Sequence, residues 1–429
     1  MLLSFAFIPA QEVSFKEYDL DNGLHVILHQ DNTAPVVTVS VLYHVGAKDE
    51  DPARTGFAHF FEHLLFEGTE HIKKGDWSKI VTSNGGSNNA TTSDDRTYYY
   101  EVFPSNNLEL GLWMESERML HPVINQRGVD TQNEVVKEEK RLRVDNRPYG
   151  NLLTEVKKNM FKKHPYRWST IGSMDHLDAA TLEEFRAFNK KYYVPNNAVL
   201  VVAGNIDSTG TEKMIKDYFG SIPKGKAIKR DFPKEADITK EFKATAYDAN
   251  IQIPAVMVAY RTPSFKTREA RVLDMISTYL SNGKSSKLYK KMVDEKKMAL
   301  SVQAINLSQE DYGIYAIFAL PLGETSLSAL VKEFDEEIVK LQTELISEKD
   351  HQKLQNKFES RYVNSNSSIQ GIAHSLATYY MLYGDTNLIN TEIDIYRSVT
   401  REEIREIAKK YLNPDQRLLL EYLPKKENQ

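Results

Sequence analysis

The chain has 429 residues and no cysteine, which excludes disulfides, thiol nucleophiles and cysteine-ligated zinc. Any metal must therefore sit on histidine and carboxylate groups. A positive charge balance is also missing. Sixty acidic residues against 55 Lys and Arg give a formal net charge of −5, which argues against a nucleic-acid protein held by phosphate contacts. No apolar run has the length of a membrane span. The one conspicuous basic tract, "KGKAIKRDFPK" from Lys224, has acids nearby and reads as solvated loop. What is present fits a globular protein with two or more cored domains: 41% hydrophobic and 27% charged residues.

The N-terminal run Leu2–Ala10 in "MLLSFAFIPA" has the length of a signal-peptide core and ends in a small residue. No basic residue precedes it, and Ile8 stands where a small residue is usual. Residues 1–12 thus read as a signal remnant or a tail. The reading leans to a periplasmic or cell-envelope location, with a cytoplasmic one as the alternative.

"YDLDNGLHVILHQ" and "APVVTVSVLYHVG" read as strands, "SNNATTSDDRTYYYEVF" as strand around a polar turn, and "NLELGLWMESERML" as an amphipathic helix. This mixture predicts an α+β layered fold. A repeat organises it. "TLEEFRAFNKKYYVPNNAVLVVAGN" from Thr181 aligns without a gap to "TREEIREIAKKYLNPDQRLLLEYLP" from Thr400, about half a chain length further on. Thr, Glu, Lys, Tyr and Pro recur in register, and each copy reads as helix, Pro-marked turn and apolar strand. The expectation is two homologous domains, 13–222 and 241–425, each a mostly antiparallel sheet covered by helices, joined by a linker at 223–240.

The stretch "RTGFAHFFEHLLFEGT" places His59, Glu62 and His63 among Phe57, Phe60, Phe61, Leu64 and Leu65. Burying such groups is costly unless something pairs with them. Residues four apart share a helix face, so both imidazoles can reach one ion, with Glu62 beside it. This is the mirror order of the H-E-x-x-H zinc helix. A buried His–Glu hydrogen bond would explain the pentapeptide without a metal. A zinc site of this kind needs a third protein ligand and an open position for water. In "VDTQNEVVKEEKRLRVD", read as a helix, Val135, Val136, Glu139 and Leu142 share the apolar face. Glu139 is then the inward carboxylate and Glu138 the alternative, with an ordinary salt bridge competing for Glu139.

Together, "GAKDEDPARTGFAHFFEHLLFEGTEH", "GGSNNATTSDDRTYYYEV" and "NEVVKEEKR" resemble the pitrilysin family of inverted-motif zinc peptidases, which includes insulin-degrading enzyme and the mitochondrial processing peptidase. The resemblance covers nearly the whole chain. It implies half of a clamshell-like peptidase acting on short or unfolded peptides, one Zn²⁺ on His59, His63 and Glu139, and Glu62 as general base. It also implies that Asn89, Ala90 and Thr91 lie on an edge strand that pairs with extended substrate, although an ordinary strand-to-turn segment would read the same way.

Two departures qualify the resemblance. Gln132 stands where relatives carry a second glutamate supporting the site. In the second half, which has no zinc motif, Val293 and Leu300 stand where complete members place an Arg and a Tyr that bind substrate. Neither side chain donates a hydrogen bond, and Tyr289 and its neighbouring lysines are out of register. The reading is a zinc subunit working with a homologous, zinc-free partner that supplies Arg and Tyr, with a homodimeric processing peptidase as the alternative. The rival class is a non-catalytic structural subunit.

Overall fold

A computed structural model describes residues 12–425. The segment read as signal remnant or tail lies outside the described residues except for Glu12. The first sheet contains β1 (Lys16–Asp19), β2 (His25–Gln30), β3 (Val36–Tyr43), β4 (Ser87–Thr92), β5 (Thr97–Pro104) and β6 (Ala198–Gly204), in the spatial order β1-β2-β6-β3-β5-β4. The second contains β7 (Phe242–Asp248), β8 (Ala255–Pro263), β9 (Ala299–Ser308), β10 (Tyr312–Pro321) and β11 (Leu418–Pro424), in the order β7-β11-β8-β10-β9. With β1 set aside, the two orders coincide strand for strand. Each has one parallel pair, β2 with β6 and β7 with β11, and is otherwise antiparallel. The segment read as one strand, "YDLDNGLHVILHQ", is instead the β1–β2 hairpin. Gly23, at φ 85, supplies the left-handed residue of its turn.

The repeated identities have physical roles. Thr181 and Thr400 cap the helices Leu182–Tyr192 and Arg401–Tyr411, each accepting from the backbone N–H of the glutamate three residues on, Glu184 and Glu403. Those glutamates pair with Arg54 at 3.0 Å and Arg268 at 2.6 Å. Both arginines stand at the entry to the helix that comes after the second strand of the repeat, β3 or β8.

The stretch 223–240 carries no helix or strand. The halves on either side of it are interlocked. One face of the first sheet is covered from the second half, by the helix Ile369–Thr378. Its Ile372, Ala373, Leu376 and Ala377 pack on Ile27, Leu42, Val199 and Val201. In return, the helix Leu152–Met160 of the first half lays Leu152, Val156 and Met160 on Met257, Ala259, Leu418 and Leu420. This double cover explains why every residue of β6 is buried and why its sequence, AVLVVAG, is a continuous apolar run.

The equivalent hairpin turns of the two halves also meet. Gln309, after β9, donates to Asp94, after β4, and the Glu310 amide donates to Asp95 at 3.1 Å. Lys48, only 2% exposed, closes the junction with its Nζ 3.0 Å from Asp95, 2.7 Å from Glu310 and 3.0 Å from Asp311. His44 reaches Glu310 at 2.7 Å. This cationic company outweighs burial and holds the Glu310 and Asp311 carboxyls below their ordinary range.

Two outcomes are expected. All three tryptophans, Trp77, Trp113 and Trp168, belong to the first half. Leu376→Ala in the second half should nevertheless lower the urea midpoint reported by tryptophan fluorescence, at a cost of about 2–5 kcal/mol. An unchanged midpoint would mean that the halves unfold independently. Lys48→Met should cost about 3–5 kcal/mol at pH 7, because it leaves buried carboxylates uncompensated. The depressed carboxylates contribute fully above their unfolded pKa values of about 4, and that contribution is lost as pH falls through the lower folded values. The difference between wild type and variant, measured by urea unfolding, should therefore shrink between pH 7 and pH 3.

Candidate metal centre

The histidines lie on the helix Phe57–Leu64. Its apolar side packs Phe57 on Phe185, with ring centroids 4.5 Å apart, and Phe61 on Phe188 and Tyr193. The chain enters through Gly56 at φ 100, where a side chain would meet the Ile171 carbonyl at 2.8 Å. Gly56 has no side chain to cap the helix. The buried Glu50 does so instead, accepting from the Gly56 and Ala58 amides at 2.8 Å each. Tyr99 on β5 donates to the Phe61 carbonyl at 2.8 Å. The helix is thus fixed at its start, along its apolar face and at mid-length.

Glu139 comes from the helix Gln126–Lys140. Its Oε2 lies 3.0 Å from His63 Nε2 and 3.5 Å from His59 Nε2. The three donor atoms lie within 4.8 Å of one another, and no other such cluster of His, Asp and Glu occurs among the described residues. Bonds of about 2.0–2.2 Å in tetrahedral coordination set ligand atoms roughly 3.4 Å apart, so this donor set fits a zinc ion. Burial, and then the neighbouring His63, lower the His59 pKa to about 4, which keeps that imidazole neutral and able to ligate at neutral pH. A hydrogen bond from His63 lowers the Glu139 pKa, which favours the ionised carboxylate. Its other oxygen, Oε1, is held by Arg143 Nη1 at 2.6 Å.

Glu62 stands on the same helix, largely buried, with its pKa raised chiefly by burial. Thr92, the last residue of β4, donates to its Oε2 at 2.6 Å. β4 is the outer strand of the first sheet. Asn89, Ala90 and Thr91 lie along it, Ala90 buried and its two neighbours exposed. Asn89 Oδ1 accepts from the Ala90 amide at 2.9 Å, and Arg96 covers the Thr91 carbonyl at 2.7 Å.

Two expectations need correction. Val136 is buried, but Val135 and Leu142 are 43% and 64% exposed, so the apolar face drawn through them is not the packed face. Gln132 donates to Glu67, which also pairs with Lys74, rather than to a histidine or Glu139. Glu138 turns outward to Arg141. In the second half, Val293 packs against the core and Leu300 is 45% exposed at the start of β9. Lys291 and Lys296 are engaged with Glu333. Glu50, Thr92 and Arg143 were not singled out from the sequence. Only Glu50 left a trace there, as an acid shortly before a helix that lacks a Ser, Thr or Asp cap.

Two duplicated layered units, one carrying a His-His-Glu cluster beside a buried glutamate, define the architecture of half a clamshell peptidase. Two family models match: insulinase (peptidase family M16) over residues 25–173 and peptidase M16 inactive domain over residues 179–358. The zinc protease PqqE of Helicobacter pylori is 31% identical over 377 residues, 87% of this chain and 84% of its own length. A crystal structure of a protease from Helicobacter pylori has a TM-score of 0.90 at 28% identity, covering 96% of this chain and 99% of that one. The first half of the periplasmic protease PqqL from Escherichia coli has a TM-score of 0.77 at 19% identity, over 97% and 93% of the two chains. The chain belongs to peptidase family M16, the insulinase or pitrilysin family.

The metal reading has a direct check. After zinc loading and dialysis, elemental analysis should find one zinc per chain. His63→Ala and Glu139→Ala should each weaken zinc binding by more than about 100-fold. Retention of tight, stoichiometric zinc by either variant would exclude this ligand set.

Proposed function

We propose that the chain is the zinc-binding subunit of an endopeptidase, with Zn²⁺ held by His59, His63 and Glu139. The observation that carries this reading is the convergence of two imidazoles and a carboxylate beside Glu62. Zinc held there supplies Lewis-acid polarisation of a carbonyl and makes water a nucleophile near neutral pH. Glu62 acts as general base. Thr92 occupies its Oε2, which leaves Oε1 to take the proton from the attacking water and return it to the leaving amine. Because Thr92 ends β4, the same hydrogen bond fixes the base relative to the strand whose Asn89–Thr91 edge would pair with an extended peptide.

Val293 and Leu300 offer no donors for the scissile carbonyl, and loss of such a donor costs about 10²–10³ in rate. A homologous zinc-free partner supplying Arg and Tyr completes the chamber, with self-association as the alternative. Residues 13–222 and 241–425 are the two homologous domains of this subunit, and 223–240 joins them. The apolar run Leu2–Ala10 and the periplasmic setting of PqqL support export. Among the described residues, no helix is long and apolar enough to cross a membrane.

Hydrolysis of a quenched fluorescent peptide tests the reading. The zinc-loaded chain alone should be slow, and addition of its partner should accelerate it about 10²–10³-fold. Glu62→Gln should remove at least about 10²-fold of the activity while retaining zinc. Full activity of the lone chain would exclude the partner requirement. Activity unaffected by Glu62→Gln would exclude the mechanism.

A further inference from the structure

Beside the metal centre lies a cavity of about 440 Å³, built by both halves. Its floor comes from the second sheet: Ile305 and Leu307, two apart on β9 and so on one face, with Phe318 of β10. Tyr149 of the first half forms one wall, its ring centroid 6.1 Å from that of Phe318. Arg143 and Arg147 line the rim.

Three observations mark this as a prepared site. Tyr149 holds φ at 61, a left-handed conformation that is costly for a bulky residue. It is pinned there at both ends: its amide donates to Asp248 at 3.1 Å and its hydroxyl to the Ile253 carbonyl at 2.8 Å. Of the two rim arginines, Arg143 is paired with Glu139, whereas Arg147 is not paired with a carboxylate within 4 Å among the described residues. Asp145 is taken by Lys140 at 2.6 Å and Glu138 by Arg141. Lastly, Arg143 touches both the cavity and Glu139, so the cavity lies one side chain from the metal centre.

We propose that this cavity is a specificity pocket that takes a large apolar side chain of a peptide and, at its rim, a carboxylate on the same peptide bound by Arg147. The apolar floor and the charged rim define that pair of features. An Arg–carboxylate pair, bidentate and charge-assisted, supplies direction that the floor cannot. The proposal rests on the peptidase reading and names its substrate class: peptides in which a bulky apolar residue lies near an acidic residue or near a free C-terminal carboxylate.

The test is fluorescence anisotropy with zinc-loaded Glu62→Gln chain and short labelled peptides. The parent peptide places Phe beside Glu and ends in an amide. One variant replaces Glu by Gln, a second replaces Phe by Ala, and a third keeps Gln but ends in a free carboxylate. Glu→Gln and Phe→Ala in the peptide should each weaken binding about tenfold or more. The third peptide shows whether a terminal carboxylate substitutes for the acidic side chain. In Arg147→Ala protein the Glu and Gln peptides should bind alike, and Arg147→Glu should reverse the preference towards a Lys peptide. Equal binding of Glu and Gln peptides by wild-type protein, a preference that survives Arg147→Ala, or no binding by any peptide would each overturn the pocket. Binding that depends on Arg147, in a chain that cleaves nothing even with its partner, would leave the pocket standing and remove the peptidase reading. Cleavage blind to Arg147 would do the reverse.

Discussion

Each of the two sheets can bury its second face only under a helix that belongs to the other half. β6 is buried along its whole length, and a strand of that kind exists only between two covering layers. Cut between the halves, the first sheet would expose Ile27, Leu42, Val199 and Val201, and the second would expose Met257, Leu418 and Leu420. Burial contributes roughly 1.5–3 kcal/mol for each large apolar side chain. The exchange is therefore worth a sizeable part of a marginal total stability. It also fixes the halves relative to one another, and the cavity beneath Tyr149, with a wall from one half and a floor from the other, exists only because they are fixed.

Electrostatics refines what the exchange imposes. Lys48 is buried among carboxylates contributed by equivalent turns of the two halves, so the junction is polar but compensated. A buried ionic junction of this kind adds little net stability over an apolar one, yet it tolerates few other alignments. The turn it holds, Ser93–Arg96, comes directly after Thr92, the hydrogen-bond partner of Glu62. The position of the candidate base is thus tied, through one short hairpin, to the packing of the second half.

Much of this was legible in the sequence where the governing rule is local. The i, i+4 spacing of His59 and His63 needs only helix geometry. The recurrence of Thr181 and Glu184 as Thr400 and Glu403 encodes helix capping, which is read within a single turn. Failures came where the rule is not local. Placing Leu142 on the apolar face assumed an unbroken α-helix, but the chain widens to π-helix at Arg141–Asp145, which shifts the phase of the residues beyond Lys140. The amide of Gln132 found Glu67, from the turn just after the histidine helix, rather than a ligand. The helix exchange was invisible because amphipathicity shows that a helix has a buried side, not which sheet will cover it. The same holds for Glu50, whose capping role depends on how the loop before Gly56 folds back.

The duplication also supplies an internal control for the metal reading. In the second half, the helix Arg268–Ser281 occupies the place of the histidine helix, after the second strand of its repeat, and has no histidine. It buries Val272, Leu273, Met275 and Ile276, and its one aspartate, Asp274, is satisfied by Asn306 at 2.9 Å and Tyr396 at 3.1 Å. Its buried Arg271 is likewise paired, with Glu392 at 3.0 Å, so the scaffold accepts polar groups at this place when each has a partner. The first half instead places two imidazoles and a carboxylate at the same point of the fold, where each unpaired polar group costs about 1–3 kcal/mol. A hydrogen-bonded network alone satisfies them incompletely. Both imidazoles point at the one oxygen Glu139 Oε2, and His59 Nε2, at 3.5 Å, stands beyond good hydrogen-bond range of it. On the proposed reading, a divalent ion shared by both imidazoles and Glu139 would offset that cost and give the helix a reason to differ from its twin.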